Sequence, residues 1–315
     1  PYELPEIVPA TEDVPATEIA DGLVERMMRG QVLHSDDLRE FASIVFEDGR
    51  RIDIHDARLR RAQEAVEAAM QRRLERDAKE PDREAFDLAV MMTERQPTFA
   101  FRTSSSVEHQ QYSTVLPLAI AAQRLLRADP GDEVLEPTIG NGSLVSKLAG
   151  GVRITGVEID PVRARQVSSL RPGLDVIEGD VLSVGFDRAF DKTIANPPFG
   201  GLKEPVVVDG LRVTRIDHLI VLKALQARRD EGRSVFIIGA DRANIFDKHA
   251  GLIQGGSKYF FNWLADHYDV ESVVELDGKL YAKQGSSYPV RLVVVGARRT
   301  PEAALEAGRT GGHRL

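Results

Sequence analysis

The sequence of 315 residues contains no cysteine. Disulfides and thiolate metal sites are thereby excluded. So is any reaction through a cysteine nucleophile, including methylation at carbon 5 of cytosine, in which a thiolate attacks the ring. No metal site is expected. The sequence also lacks any apolar run of about 18 residues, so no membrane partner is expected. It has no signal-peptide pattern at its start, and the expected location is the cytoplasm. The first residue is Pro1 rather than Met, which reads as a processed chain or a piece of a longer one.

Strong positive charge is missing too: the net charge is −8, which argues against a highly basic nucleic-acid protein. Its distribution matters more than its sum. Residues 1–100 carry 14 Lys and Arg against 23 Asp and Glu, whereas residues 101–315 carry 27 against 26. The acidity belongs to the front segment, and the remainder is free to present a basic cleft.

Residues 1–17, rich in Pro and Glu, read as an extended lead-in. From about Glu18 to Arg95 the pattern is helical, with Leu59, Ala62, Val66, Met70 and Leu74 at helical spacing amid charges. Residues 1–100 are thus expected to be an acidic helical segment, a small subdomain or partner-facing arm without a catalytic cluster. A polar link, Phe101 to His109, follows. Residues 101–300 then change rhythm, and residues 301–315 form a polar tail. Strands are expected at Asp132–Leu135, Arg153–Glu158, Asp175–Ile177, ending at Ala195, Ser234–Gly239, Val270–Leu276 and Val290–Val295. Helices are expected at Ser143–Leu148, Pro161–Ser168, Asp217–Arg228 and Tyr259–His267. This alternation predicts an α/β fold, a mostly parallel sheet of seven strands with helices on both faces. The last two strands, joined without a helix, predict one antiparallel strand.

Glu136-Pro137-Thr138-Ile139-Gly140-Asn141-Gly142 follows the first strand, and Gly140 and Gly142 permit a tight turn and close approach of a ligand to the backbone. Glu158 ends the second strand, where a carboxylate can accept both hydroxyls of a ribose; Ile159 follows it. Asp180 follows the third strand, placed to accept from an adenine amino group, with Val181 offering backbone and apolar contact. Three acidic strand ends suit a nucleoside with a cationic centre and repel a diphosphate. The segment also lacks the third Gly of a dinucleotide fingerprint and the Lys of a phosphate loop. These features favour S-adenosylmethionine over NAD or ATP.

Asn196-Pro197-Pro198-Phe199 follows the fourth strand. Two prolines stiffen the backbone and remove two N–H donors. An exocyclic amine conjugated to a ring is a poor nucleophile because its lone pair is delocalised. The Asn196 side-chain oxygen and the Pro197 carbonyl can hold its two hydrogens and aim its lone pair, while Phe199 offers a ring for stacking. Basic and aromatic residues on later segments, expected to be loops near the active edge, are candidate substrate contacts. Lys203, Arg212 and Arg215 lie in 200–215, Arg242, Lys248 and Lys258 in 241–258, and Lys279, Tyr281, Lys283 and Tyr288 in 278–288. Asp217 is expected to cap a helix and Trp263 to lie in the core.

With these motifs in place, residues from about Gln110 to Ala297 resemble a Rossmann-like class I S-adenosylmethionine-dependent methyltransferase. The resemblance is strongest to the enzymes that methylate adenine N6 in DNA. Gln111-Tyr112-Ser113-Thr114-Val115-Leu116-Pro117 is similar to the segment that in such enzymes covers the methionine end of the cofactor. Its position ahead of the Gly motif and the catalytic loop resembles the gamma-type order. The resemblance implies S-adenosyl-L-methionine as cofactor, bound by Tyr112, Thr114, Glu136, Pro137, Gly140, Gly142, Glu158, Ile159, Asp180, Val181 and Asn196, with its methionine near Thr114, Glu136 and Gly140, its ribose at Glu158, its adenine at Asp180, and the target amine at Asn196. It implies DNA as partner. The front segment and the Gln-Tyr-Ser-Thr block also resemble methyltransferase domains of large phage anti-restriction proteins. Phe199 departs from the Tyr frequent in the DNA enzymes and occurs in enzymes of ribosomal RNA. An RNA base amine, adenine N6 or guanine N2, is therefore an alternative target, as is a protein glutamine amide. No large target-recognition domain is evident, so either sequence specificity is expected to be weak or recognition is expected to come from a linked downstream domain or another chain.

Overall fold

The computed structural model describes residues 14–45, 57–99, 113–148, 150–240 and 257–300. The lead-in before Val14, the link 101–109, the tail 301–315, Tyr112, Arg242 and Lys248 lie outside the described residues.

Four helices open the described chain: α1 (Val14–Met28), α2 (Ser35–Val45), α3 (Ala57–Asp77) and α4 (Arg83–Arg95). Helix α1 begins inside the expected lead-in. Asp82 caps α4, its carboxylate accepting from Glu84 N at 3.0 Å and Ala85 N at 3.1 Å. The expected stripe of Leu59, Ala62, Val66, Met70 and Leu74 is buried in one apolar cluster with Leu23, Met27, Leu38, Phe41 and Met92. Helix α5 (Leu116–Leu126) closes this cluster with Leu116 and Ile120. From its other side α5 gives Leu118, Ala119, Ala122 and Leu126 to a second cluster beneath the sheet.

The sheet comprises β1 (Glu133–Glu136), β2 (Arg153–Glu158), β3 (Asp175–Glu178), β4 (Phe190–Ala195), then, past a small hairpin, β7 (Arg228–Gly239), β8 (Tyr268–Leu276) and β9 (Val290–Arg298). The hairpin is β5 (Gly201–Val208) with β6 (Leu211–Arg215). The seven-stranded order is β3-β2-β1-β4-β7-β9-β8. Neighbours pair in parallel through β7, and β9 runs antiparallel to both β7 and β8. Helices α6 (Pro161–Leu170), α7 (Ile216–Ala227) and α8 (Lys258–His267) complete the layers. Period-two alternation divides the strands cleanly between faces. Val134, Ile194, Val235, Ile237, Leu292 and Val294 join the cluster that holds α5. Leu135 and Val157 pack with Ile220 of α7, and Ala195, Phe236, Ile238, Val293 and Val295 pack with α7 and α8.

Three expectations are corrected. Ser143–Leu148 is no α-helix but a single 3-10 turn over Ser143–Val145. The buried Gln123 side chain of α5 donates to Ser143 O at 3.0 Å and accepts from Lys147 N at 2.6 Å, serving backbone groups that a helix would pair internally. Residues 200–215 are a hairpin rather than a loop, turning at Asp209-Gly210 with φ of 46° and 77°. That pairing is the backbone of a two-residue hairpin turn. Asp217 is not a cap, since the α7 N-cap position is Arg215. Fully buried Asp217 accepts from Arg215 Nε at 3.0 Å and Nη2 at 2.8 Å and from Gly239 N at 3.1 Å, tying the start of α7 to the end of β7.

Candidate active site

Parallel pairing brings the C-terminal ends of β3, β2, β1 and β4 to one edge, as ligand sites of open α/β sheets require. A cavity of about 400 Å³ opens there. Its wall includes Thr114, Glu136, Pro137, Gly140, Glu158, Ile159, Asp180, Val181, Asn196, Pro197, Phe199 and Lys203, expected from sequence.

Glu136 is 1% exposed. Burial pushes its carboxyl up to about 8; hydrogen bonds from Thr138 N at 3.2 Å and Thr138 Oγ1 at 3.3 Å oppose this, and the nearby Glu158 adds to it. Glu158 is buried and held rigidly, one oxygen accepting from Gly140 N and the other from Asp160 N, each at 2.9 Å. A carboxylate has about four acceptor positions, so two backbone bonds leave room for two ribose hydroxyls. Gly140 adopts φ +54°, and a Cβ there would stand 2.8 Å from Arg163 Nη2. Asp180 is exposed and accepts from Leu182 N at 2.9 Å. This donor and acceptor set fits a nucleoside bearing a positive centre.

At the β4 end, Asn196 Nδ2 donates to the buried Thr114 Oγ1 at 2.9 Å. Asn196 Oδ1 is buried and, among the described residues, accepts no hydrogen bond. An orphaned buried acceptor costs roughly 1–3 kcal/mol, and Asn196 is one of the residues that line the cavity. Phe199 lies near-parallel to Tyr288, ring centroids 6.2 Å apart at 28°.

Other expected residues fall elsewhere. Gly142, at φ +76°, is no part of the cavity wall and packs beside Val167 and Arg171. Tyr281 is 2% exposed in the core with Val290 and Leu292, so its ring presents no open face to a substrate. The expected loop contact is corrected here: 278–284 is a 3-10 helix that turns this phenol inward, where burial raises its pKa against the opposing Asn196 amide. Lys283 Nζ donates to Gln96 O at 2.9 Å, holding the end of α4, and Lys279 is exposed away from the cavity wall. Trp263 is half-buried and donates to Asp209 O at 3.2 Å, propping the hairpin turn.

Sequence reasoning missed Ser113, Asn141 and Arg163, all in the wall. It also missed Glu67 of α3, whose Oε2 accepts from Ser113 Oγ at 2.8 Å and Asn141 Nδ2 at 3.0 Å. The Asp-Gly turn was a legible signal for the hairpin. Nothing in a local pattern marks a helical Glu as the partner of a loop 74 residues away.

The strand order and the lone antiparallel strand define the Rossmann-like class I methyltransferase fold. No family model and no curated protein matches the chain. Among solved structures, it is similar to TrmN from Thermus thermophilus (21% identity, 60% of this chain and 50% of that one, TM-score 0.41), and so spans half that protein's length. It is similar to the methyltransferase subunit of a type I restriction-modification system from Streptococcus thermophilus (16% identity, 89% and 66%, TM-score 0.46). It is also similar to a TehB-like SAM-dependent methyltransferase from Corynebacterium glutamicum (19% identity, 56% and 86%, TM-score 0.36). At these identities the likeness is one of fold. Among the described residues no helix is long and apolar enough to cross a membrane.

Proposed function

We propose that this chain transfers a methyl group from S-adenosylmethionine to an exocyclic amine, the N6 amine of adenine in DNA. The observation that carries the reading is Asn196, which lines an acid-lined cavity at the C-terminal sheet edge and whose buried Oδ1 accepts no hydrogen bond among the described residues. Glu158 would hold the ribose, Asp180 the adenine, and Glu136 with Thr114 and Gly140 the methionine end. When bound, S-adenosylmethionine supplies an electrophilic methyl on a positively charged sulfur.

The residues of this chain do the positioning. Asn196 Oδ1 and the Pro197 carbonyl accept the two amine hydrogens, drawing the nitrogen out of conjugation so that its lone pair faces the methyl carbon. Thr114 holds the Asn196 amide in place through Nδ2. As the new carbon–nitrogen bond forms, positive charge develops on the amine, and the two oxygens stabilise it more than they stabilise the neutral ground state. The methylated amine would then give one proton to water. Phe199 supports the plane of the base.

Phe199 favours a second reading, a base amine in RNA, because the ring lacks the hydroxyl frequent in the DNA enzymes. Tritiated cofactor offered with unmethylated DNA, RNA and a protein extract separates the targets. Label in DNA that is lost with Asn196→Ala is the expected result. Label confined to RNA or protein overturns the choice of DNA, and full activity of Asn196→Ala overturns the role of Asn196.

A further inference from the structure

One face of α3 carries Glu67, Gln71 and Glu75, each about one helical turn from the next, with Ala78 just past the helix end. Gln71 Oε1 accepts from Arg171 Nη2 at 2.8 Å. Glu75 pairs with the same Arg171 at 2.5 Å, and Lys147 Nζ donates to the carbonyls of Glu75, at 3.4 Å, and Ala78. Glu67 differs from the others. Its two donors, Ser113 and Asn141, are themselves cavity wall. Ser113 adjoins Thr114, the support of Asn196, and Asn141 lies between Gly140 and Gly142. A single carboxylate oxygen therefore joins the segment above the cavity to the turn below it. Asn141 also fixes that turn from within, its Oδ1 accepting from Ser143 N at 3.1 Å.

We propose that Glu67 is a positioning residue for the methionine end of the cofactor, acting through Ser113 and Asn141, so that α3 is a working part of the cofactor site. The inference rests on the methyltransferase reading. Glu67 is 6% exposed, and its Oε1 accepts no hydrogen bond among the described residues. An unshared carboxylate oxygen buried beside a cavity that takes a cation is a stabilising negative charge when the cation is present. The charged groups facing Glu67 are Glu64 on its own helix and Arg163 on α6. Burial pushes its carboxyl up to about 7, Glu64 adds to this, and Ser113, Arg163 and Asn141 oppose it. Near neutral pH a cationic ligand thus favours the ionised form, and affinity rises with pH across that range.

Titration calorimetry with S-adenosylmethionine, from pH 6 to pH 8.5, tests this on the full chain and on Glu67→Ala, Glu67→Gln, Gln71→Ala and Glu158→Ala. Glu67→Ala is expected to weaken binding by about ten- to a hundredfold, the loss of two charge-assisted hydrogen bonds. Glu67→Gln keeps an acceptor for both donors. It is expected to bind within about threefold of wild type at pH 6, where the wild-type carboxyl is protonated, and to lose the part of the rise in affinity centred near pH 7, keeping the part near pH 8 that Glu136 contributes from the cavity wall. Gln71→Ala, one turn away, is expected to bind as wild type. Wild-type affinity in Glu67→Ala, an unchanged pH profile in Glu67→Gln, or an equal loss in Gln71→Ala would each overturn the proposal. The first two, with Glu158→Ala weakened, overturn it alone. Wild-type chain that binds no S-adenosylmethionine overturns the methyltransferase reading and this inference together.

Discussion

Replacing Asn196 and Thr114 together by isosteres without hydrogen-bonding groups, Thr114→Val with Asn196→Leu, sets function against stability. Asn196 Oδ1 is buried and accepts no hydrogen bond among the described residues, which costs the folded chain roughly 1–3 kcal/mol. The Nδ2 to Thr114 bond at 2.9 Å returns only about 0.5–1.5 kcal/mol. Removing both partners deletes the orphan and the bond at once but leaves the buried Tyr281 hydroxyl without its Asn196 neighbour, so the double variant is expected to stay within about 1 kcal/mol of wild type. In a chain of this size that keeps the change in melting temperature within roughly 1–2 °C. Methyl transfer is expected to fall by about 10²–10³-fold, as when one fixed acceptor or donor is lost from a preorganised site. Thermal unfolding by calorimetry and a filter assay with tritiated cofactor measure the two. A variant that is destabilised by more than about 1 kcal/mol, or one that keeps its activity, refutes the idea that this oxygen is held unsatisfied for its substrate.

Glu136 gives a pH dependence of known sign. Its carboxyl holds a proton up to about 8 in the fold and only to 4.5 in the ordinary state. Between those values the folded chain binds more protons than the unfolded one, so unliganded stability falls as pH rises through the window. Denaturant titrations of Glu136→Gln are expected to show a flatter profile, and an unchanged slope counts against the assignment. Gly156→Ala would place a Cβ 2.4 Å from Ile139 Cδ1 and push the Gly turn outward, so cofactor affinity is expected to drop at least tenfold by calorimetry. Lys203→Ala is expected to weaken DNA binding uniformly across sequences and to lower the salt dependence by about one phosphate contact, read from affinities at several ionic strengths.

The sheet was legible because its strands are short apolar runs punctuated by acidic and glycine turns. Arg153–Glu158 has the expected bounds, and the ends of β4, β7 and β8 lie where the pattern placed them. The residues of the cavity wall were legible for the same reason, since a strand end followed by a turn is a local signal. What escaped is non-local. Gln123 unmakes a helix 20 residues later, and Tyr281, on a segment rich in basic residues, turns into the core. Glu67 sits in a charge-rich helix whose other acids are mostly solvated or paired, and only the fold shows which of them meets a ligand loop.

Helix α5 carries two apolar faces, one closing the helical cluster and one lying under the sheet. A single rigid rod shared by two cores leaves neither complete without the other. Loosening the helices at the front would tilt the rod, and with it Thr114, two residues before its start. The front helices therefore bear, through this shared helix, on the segment whose Thr114 holds the Asn196 amide.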